Sequence, residues 1–168
     1  MRHGKDSAGE ILSEAYGLNF QSSSYFAASK VVYPALKDRM GYRDVAQCFS
    51  DRHSPGMRAI WYNLITEYNS ADPSRLSREL FEKFPIYVGI RNRDELTAIR
   101  QMPDWTTYTV WIDAGDRLPP EDSSSCTISK EDADLIIENN GSFEEFREKV
   151  LKFGALYSAF RQSILSSP

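Results

Sequence analysis

Apolar and polar positions follow two rhythms along this chain. At the start, Ala8, Ile11, Leu12 and Ala15 fall on one helical face, which predicts a helix over Lys5–Tyr16 closed by Gly17. Leu18–Gln21 reads as a short strand running into the turn Ser22-Ser23-Ser24. Helical spacing returns from Tyr25 to Met40, with Pro34 as a kink or break and Gly41 as the stop. Pro55-Gly56 marks a loop. Two further helices are predicted at about Met57–Tyr68 and Pro73–Phe84, the second opening on Asp72 as N-cap and Pro73 as first helical residue.

Beyond residue 85 short apolar runs dominate. Ile86–Ile90 (IYVGI), Tyr108–Ile112 (YTVWI) and Asp134–Ile137 read as strands. A helix over Asn92–Met102, capped by Asn92, separates the first two. Ser142 and Glu145 form a capping box for a helix over Phe143–Phe153. Residues 154–168 read as a last helix or a tail, and Arg117–Cys126 as an extended loop. Strands separated by helices predict an α/β domain, a mostly parallel sheet with helices on both faces. In such sheets ligands bind at the carboxyl ends of the strands.

Composition adds limits. The 168 residues, 41% hydrophobic and 26% charged, suit one globular domain, assigned to residues 1–153 with the remainder as its C-terminal helix or tail. No apolar run reaches the length of a membrane span. The net charge of −4 argues against a broad electrostatic grip on nucleic acid, though not against a local basic site. Cys48 and Cys126 fit no metal or redox spacing, so free thiols and a cytoplasmic setting are expected.

The chemistry concentrates in the first residues, Arg2-His3-Gly4-Lys5-Asp6-Ser7-Ala8. A Gly-Lys pair opening a helix, with a hydroxyl two positions on, matches the second half of a phosphate-binding loop. Backbone N–H groups from His3 to Ala8 would face phosphate oxygens. Gly4 permits close backbone approach, Lys5 reaches β- and γ-phosphates, Ser7 can ligate Mg²⁺, and Asp6 adds charge nearby. The full pattern places another glycine five positions before Gly4 and a buried strand ahead of it. The sequence given starts three residues before Gly4, so either a first strand is missing or the match is chance. A parallel sheet without that strand has unpaired edges, which predicts weak stability or activity.

Three more segments extend the match. Phe20–Ala27 occupies the place of an acceptor-binding turn after the second strand. Tyr87–Asn92 with Glu95 reads as a strand ending in arginine followed by an acid, and Asp132–Ser142 as a last strand and adenine-side loop containing Asn140. Together these resemble the bacteriophage P-loop deoxynucleoside monophosphate kinases. Within them the R-H-G-K-D-S loop and S-S-S-x-F turn resemble the branch of 5-hydroxymethyluracil DNA kinases of thymidine hypermodification. The resemblance implies a three-layer P-loop fold and a phage protein in the host cytoplasm. It also implies transfer of the γ-phosphoryl of Mg·ATP to 5-hydroxymethyluracil in DNA. A free deoxynucleoside monophosphate is the alternative acceptor, and an inactive kinase-like binding module the second alternative.

Phosphoryl transfer needs cations around the moving group. Lys5 and Asp6 with Arg91, at a strand end, and Arg117, placed like a lid arginine, form the expected catalytic set. Ser22, Ser23, Ser24 and Phe26 would shape the acceptor pocket, with Arg52 and Arg58 on nearby phosphates and His53 as a further candidate. Tyr25, Phe26, Trp61 and Tyr62 are either base-stacking or core aromatics. Ser7 and Asp113 are the metal-side candidates, with Asp6 competing for the acidic role. ATP and Mg²⁺ are the implied cofactors. The two histidines and two cysteines form no cluster for a transition metal.

Overall fold

The computed structural model describes residues 3–103, 105–118 and 126–165. Helix α1 (Lys5–Tyr16) has the predicted bounds, with Gly4 in the left-handed region at φ +91° before it and Gly17 at φ +65° after it. Strand β1 (Phe20–Ser22) then turns into α2 (Ser23–Ala27), where the Ser22 hydroxyl accepts from the Tyr25 N–H. Helical backbone therefore begins two residues earlier than the spacing suggested. One π-turn (Ala28–Val32) precedes α3 (Tyr33–Met40). Pro34 has no N–H to donate to the preceding turn, and the wider π-turn accommodates the lost bond without ending the helical path.

Helix α4 (Val45–Asp51) is capped by Asp44, which accepts from Gln47 N–H at 2.8 Å. Helix α5 (Met57–Tyr68) again has the predicted bounds. Helix α6 (Arg75–Phe81) starts later than the Asp72-Pro73 reading, because the Asp72 carboxylate accepts from both the N–H and hydroxyl of Ser74 and holds that segment in a turn. Strand β2 (Ile86–Val88) leads to α7 (Arg93–Arg100), where Asn92 accepts from the N–H groups of Asp94 and Glu95 as expected. Strands β3 (Val110–Asp113) and β4 (Leu135–Glu138) follow, and α8 (Phe143–Leu165) completes the order.

Helix α8 corrects the reading that broke it at Gly154. Tyr16 of α1 donates its hydroxyl to Leu151 O at 2.7 Å, and a side-chain carbon at Gly154 would fall inside van der Waals contact of both the Tyr16 ring and Leu12. The glycine permits close helix contact and caps nothing. The boundary drawn at residue 153 falls inside this one helix. The capping box stands: Ser142 accepts from Glu145 N–H, and the Glu145 carboxylate accepts from Ser142 N–H.

Helices and parallel strands make this an α/β protein, yet the strands do not form one sheet. β1 pairs with β2 (Phe20 opposite Ile86) and β3 with β4 (Val110 opposite Leu135), both parallel, as two separate two-stranded sheets. Residue alternation explains the packing. Ile86, Val110, Ile112 and Ile137 join Ile11, Leu12, Phe146 and Val150, so α1 and α8 cover one face of both sheets. Tyr87 points the other way, into the cluster built from Phe26, Val32, Trp61, Leu76 and Leu80. Helices thus flank both faces of the β1–β2 pair. Among the described residues, no helix is long and apolar enough to cross a membrane.

Candidate functional site

The start of α1 meets the carboxyl ends of β2 and β4. Asn139, just past β4 and nearly fully buried, donates its side-chain N–H to His3 O at 3.0 Å. A side-chain carbon at Gly4 would fall inside van der Waals contact of that same Asn139 nitrogen. Gly4 therefore serves both the positive φ and the close approach, for which only glycine has room. Gly89, at φ +97° after β2, brings its backbone to Ser23, whose hydroxyl donates to Gly89 O at 3.1 Å. The Lys5 side chain passes the same glycine and reaches Asp6 at 3.8 Å.

A cavity of about 1160 Å³ opens beside this junction. Its polar end is lined by His3, Lys5, Gly89, Arg91, Asp113 and Asp116. His3 Nε2 is buried without a hydrogen-bond partner among the described residues. The Asp113 carboxylate accepts from Gly115 N–H at 2.9 Å, which holds it in the turn after β3. Arg117 donates Nε–H to Asn139 O at 2.7 Å, and Asn140 accepts from Asp116 N–H at 3.2 Å. Hence the residues read as phosphate-side and lid-side candidates gather where α1, β2, β3 and β4 meet. Ser7 lies in the first turn of α1 and is half-buried. The loop read over 117–126 lies largely outside the described residues.

Among the described residues no three acidic, histidine or cysteine side chains converge as a metal-holding group. Of the two metal-side candidates, Ser7 lies in the first turn of α1 and Asp113 at the end of β3 on the cavity wall.

The acceptor-side candidates separate into three kinds. Ser23 faces the Gly89 backbone, and Ser22 is occupied as the α2 cap; Ser24 is exposed. Phe26 is corrected: at 3% exposure it belongs to the core, packed by the helices around it. Trp61 is core as well, whereas Tyr62 is exposed. Tyr25 meets Phe49 edge to face at 5.2 Å, and the Arg52 guanidinium lies 3.7 Å from the Phe49 ring centre while donating to Phe49 O at 2.7 Å. Burial first, and then the charge of Arg58, push the Arg52 pKa down, so the two arginines form one cationic spot with exposed His53 close in sequence. That spot adjoins the serine turn through Tyr25 and Phe49.

One buried group was only partly legible. Glu95 accepts from the hydroxyls of Ser77 and, at 2.9 Å, Tyr87. Burial raises the Glu95 pKa above the ordinary carboxylate range, against the lowering effect of these two bonds. Burial, and then the Glu95 charge, raise that of Tyr87. The sequence signal was an acid one turn into α7; its partners come from β2 and α6, too far away in sequence to foresee.

No protein-family model, curated protein or solved structure matches the chain, and the functional reading of the site rests on its own residues.

Proposed function

We propose that this chain is an ATP-dependent phosphotransferase of the P-loop kinase type, acting on 5-hydroxymethyluracil in DNA. The carrying observation is the placement of Gly4-Lys5-Asp6-Ser7 at the start of a 12-residue helix. That start lies at the carboxyl ends of parallel strands, on a cavity whose polar end also presents Arg91 and Asp113. Backbone N–H groups of the first turn would donate to phosphate oxygens, and Lys5 would sit against the β- and γ-phosphates. Arg91 and Arg117 would balance charge on the moving phosphoryl. Mg²⁺ held by Ser7 and Asp113 would neutralise charge on the β- and γ-oxygens. The acceptor oxygen bonds to the γ-phosphorus, the bond to the β–γ bridging oxygen breaks, ADP leaves, and the hydroxyl proton passes to water. Ser23 and Ser24, with Arg52 and Arg58 on DNA phosphates, would place the acceptor.

The net charge of −4 favours the second reading, a free deoxynucleoside monophosphate as acceptor. One assay separates the two. Label from γ-labelled ATP is offered to DNA containing 5-hydroxymethyluracil, to unmodified DNA and to free monophosphates. Label on the modified DNA alone supports the first reading, since thymine's methyl group offers no nucleophile. Label only in nucleoside diphosphates transfers the assignment to the second. No label on any acceptor, together with no ATP binding, removes both.

A further inference from the structure

Glu95 belongs to a hydroxyl network that ends at the acceptor-side serine turn, and phosphate chemistry does not use it. On one oxygen, Oε1, its carboxylate accepts from the hydroxyls of Ser77, from α6, and Tyr87, from β2. Tyr87 stands opposite Gln21 in the β1–β2 register, and the Ser23 hydroxyl continues that pairing by donating to Gly89 O at 3.1 Å. The Tyr87 and Ser23 hydroxyls also lie within hydrogen-bonding reach of each other. Elements α6, α7, β2 and α2 thus meet through Ser77, Glu95, Tyr87 and Ser23.

Each hydroxyl has one proton to give, so the charge on Glu95 decides who donates to whom. With Glu95 ionised, the Tyr87 and Ser77 protons go to its carboxylate and the Ser23 proton to Gly89 O. The Ser23 oxygen then keeps its lone pairs for another donor. With Glu95 protonated, the carboxyl donates back to the Tyr87 oxygen, and the Tyr87 proton turns to Ser23. Ser23 is then occupied as donor and as acceptor. Burial raises the pKa of the carboxyl, so this exchange falls above the ordinary carboxylate range. Among the described residues no charged side chain acts on that carboxyl, and Tyr87 is the other titratable group facing it. The nearby cations are engaged elsewhere: on α6 Arg75 pairs with Glu79 and Arg78 with Asp72, and on α7 Arg93 pairs with Asp132.

We infer that Glu95 is a positioning residue for the acceptor. Ionised, it draws the Tyr87 proton away from Ser23 and frees the Ser23 oxygen to accept a hydrogen bond from the acceptor; protonated, it closes that position. The partner it selects is an N–H or O–H of the base, because a phosphate dianion has no proton to donate. The inference rests on the reading of Ser23 as an acceptor-side residue.

The test follows transfer from γ-labelled ATP to DNA containing 5-hydroxymethyluracil, and to free monophosphates, across the pH range in which Glu95 titrates. The wild-type KM for the acceptor should fall about 3- to 10-fold as pH rises through the Glu95 value, the worth of one neutral hydrogen bond, while kcat does not share that midpoint. Glu95→Gln, whose amide donates and accepts like a protonated carboxyl, should hold KM at its high value at every pH. Tyr87→Phe should hold KM at its low value, and should restore that value when added to Glu95→Gln. A merely structural role would make the double variant worse than either single one. A second arm needs no turnover. In isotopically labelled wild type, the Glu95 carboxyl carbon and the Ser23 β-carbon should titrate with one midpoint above the ordinary carboxylate range, and Ser23 should stop following in Tyr87→Phe. A Ser23 signal that ignores the Glu95 titration, a Glu95 midpoint in the ordinary range, or a double variant with KM no lower than that of Glu95→Gln overturns the inference. Absence of transfer by wild type to every acceptor falls on the kinase reading, and the resonance titration still decides the hydrogen-bond exchange.

Discussion

Gly4→Ala tests the junction at the site from the backbone outward. Gly4 sits at φ +91°, where a Cβ costs about 1–2 kcal/mol. The new methyl also meets Asn139 Nδ2, whose bond to His3 O must lengthen or break, at a cost of about 0.5–1.5 kcal/mol. The sum is about 1.5–3.5 kcal/mol, or roughly 3–14 °C in melting temperature at this chain length. Circular dichroism melts of wild type, Gly4→Ala, Asn139→Ala and the double variant separate the two parts. Asn139→Ala removes the obstructing nitrogen, so the double variant should lose less than the two single losses added, by about 0.5–1.5 kcal/mol. Strictly additive losses would show that the Gly4–Asn139 approach does not exist. An unchanged Gly4→Ala melt would dismiss the left-handed turn itself.

Gly154→Ala should destabilise by about 1–2 kcal/mol, because overpacking against the tethered Tyr16 ring outweighs the gain in helix propensity. A more stable variant in urea unfolding would refute the close α1–α8 contact. Glu95 is protonated more readily folded than unfolded, so the folded chain binds more protons and stability falls as pH rises from about 4.5 toward the raised folded value. Urea midpoints across that window should decline in wild type and flatten in Glu95→Gln; matching slopes would contradict the buried carboxyl. Arg52→Ala should weaken binding of the phosphate-bearing acceptor several-fold with ATP binding unchanged, measured by titration calorimetry, and equal affinity would remove Arg52 from the acceptor side.

Local signals were the most legible. α1 lies between Gly4 and Gly17 and α5 opens on Gly56; both carry apolar residues at helical spacing and have the bounds read from the sequence. Asn92 and the Ser142–Glu145 box act within a few residues of themselves, so their roles needed no tertiary knowledge. Gly154 misled because a glycine tolerated for close packing looks like one that ends a helix; only Tyr16, distant in sequence, distinguishes them. Phe26 misled similarly, since an aromatic beside a serine turn gives no sign of which way it points. At the site, Lys5, Arg91 and Asp113 were legible as strand-end and helix-start residues. The tether from Asn139 to His3 spans nearly the whole chain and has no local signature. The division of the strands into two pairs has no local signature, because tertiary packing and not the neighbouring residues chooses each strand's partner.

The central claim is that Lys5 lies against the phosphates of ATP. Transfer from γ-labelled ATP, measured in parallel for wild type and Lys5→Ala on DNA containing 5-hydroxymethyluracil and on free monophosphates, tests it most directly. Lys5 is half-buried and contacts only Asp6 as an ion pair among the described residues, so the variant should melt within a few degrees of wild type. The account predicts transfer by wild type and a loss on the order of 10²–10³ in the variant, comparable to removing one preorganised charge-stabilising group at a transition state. Equal transfer rates in the two proteins would contradict it.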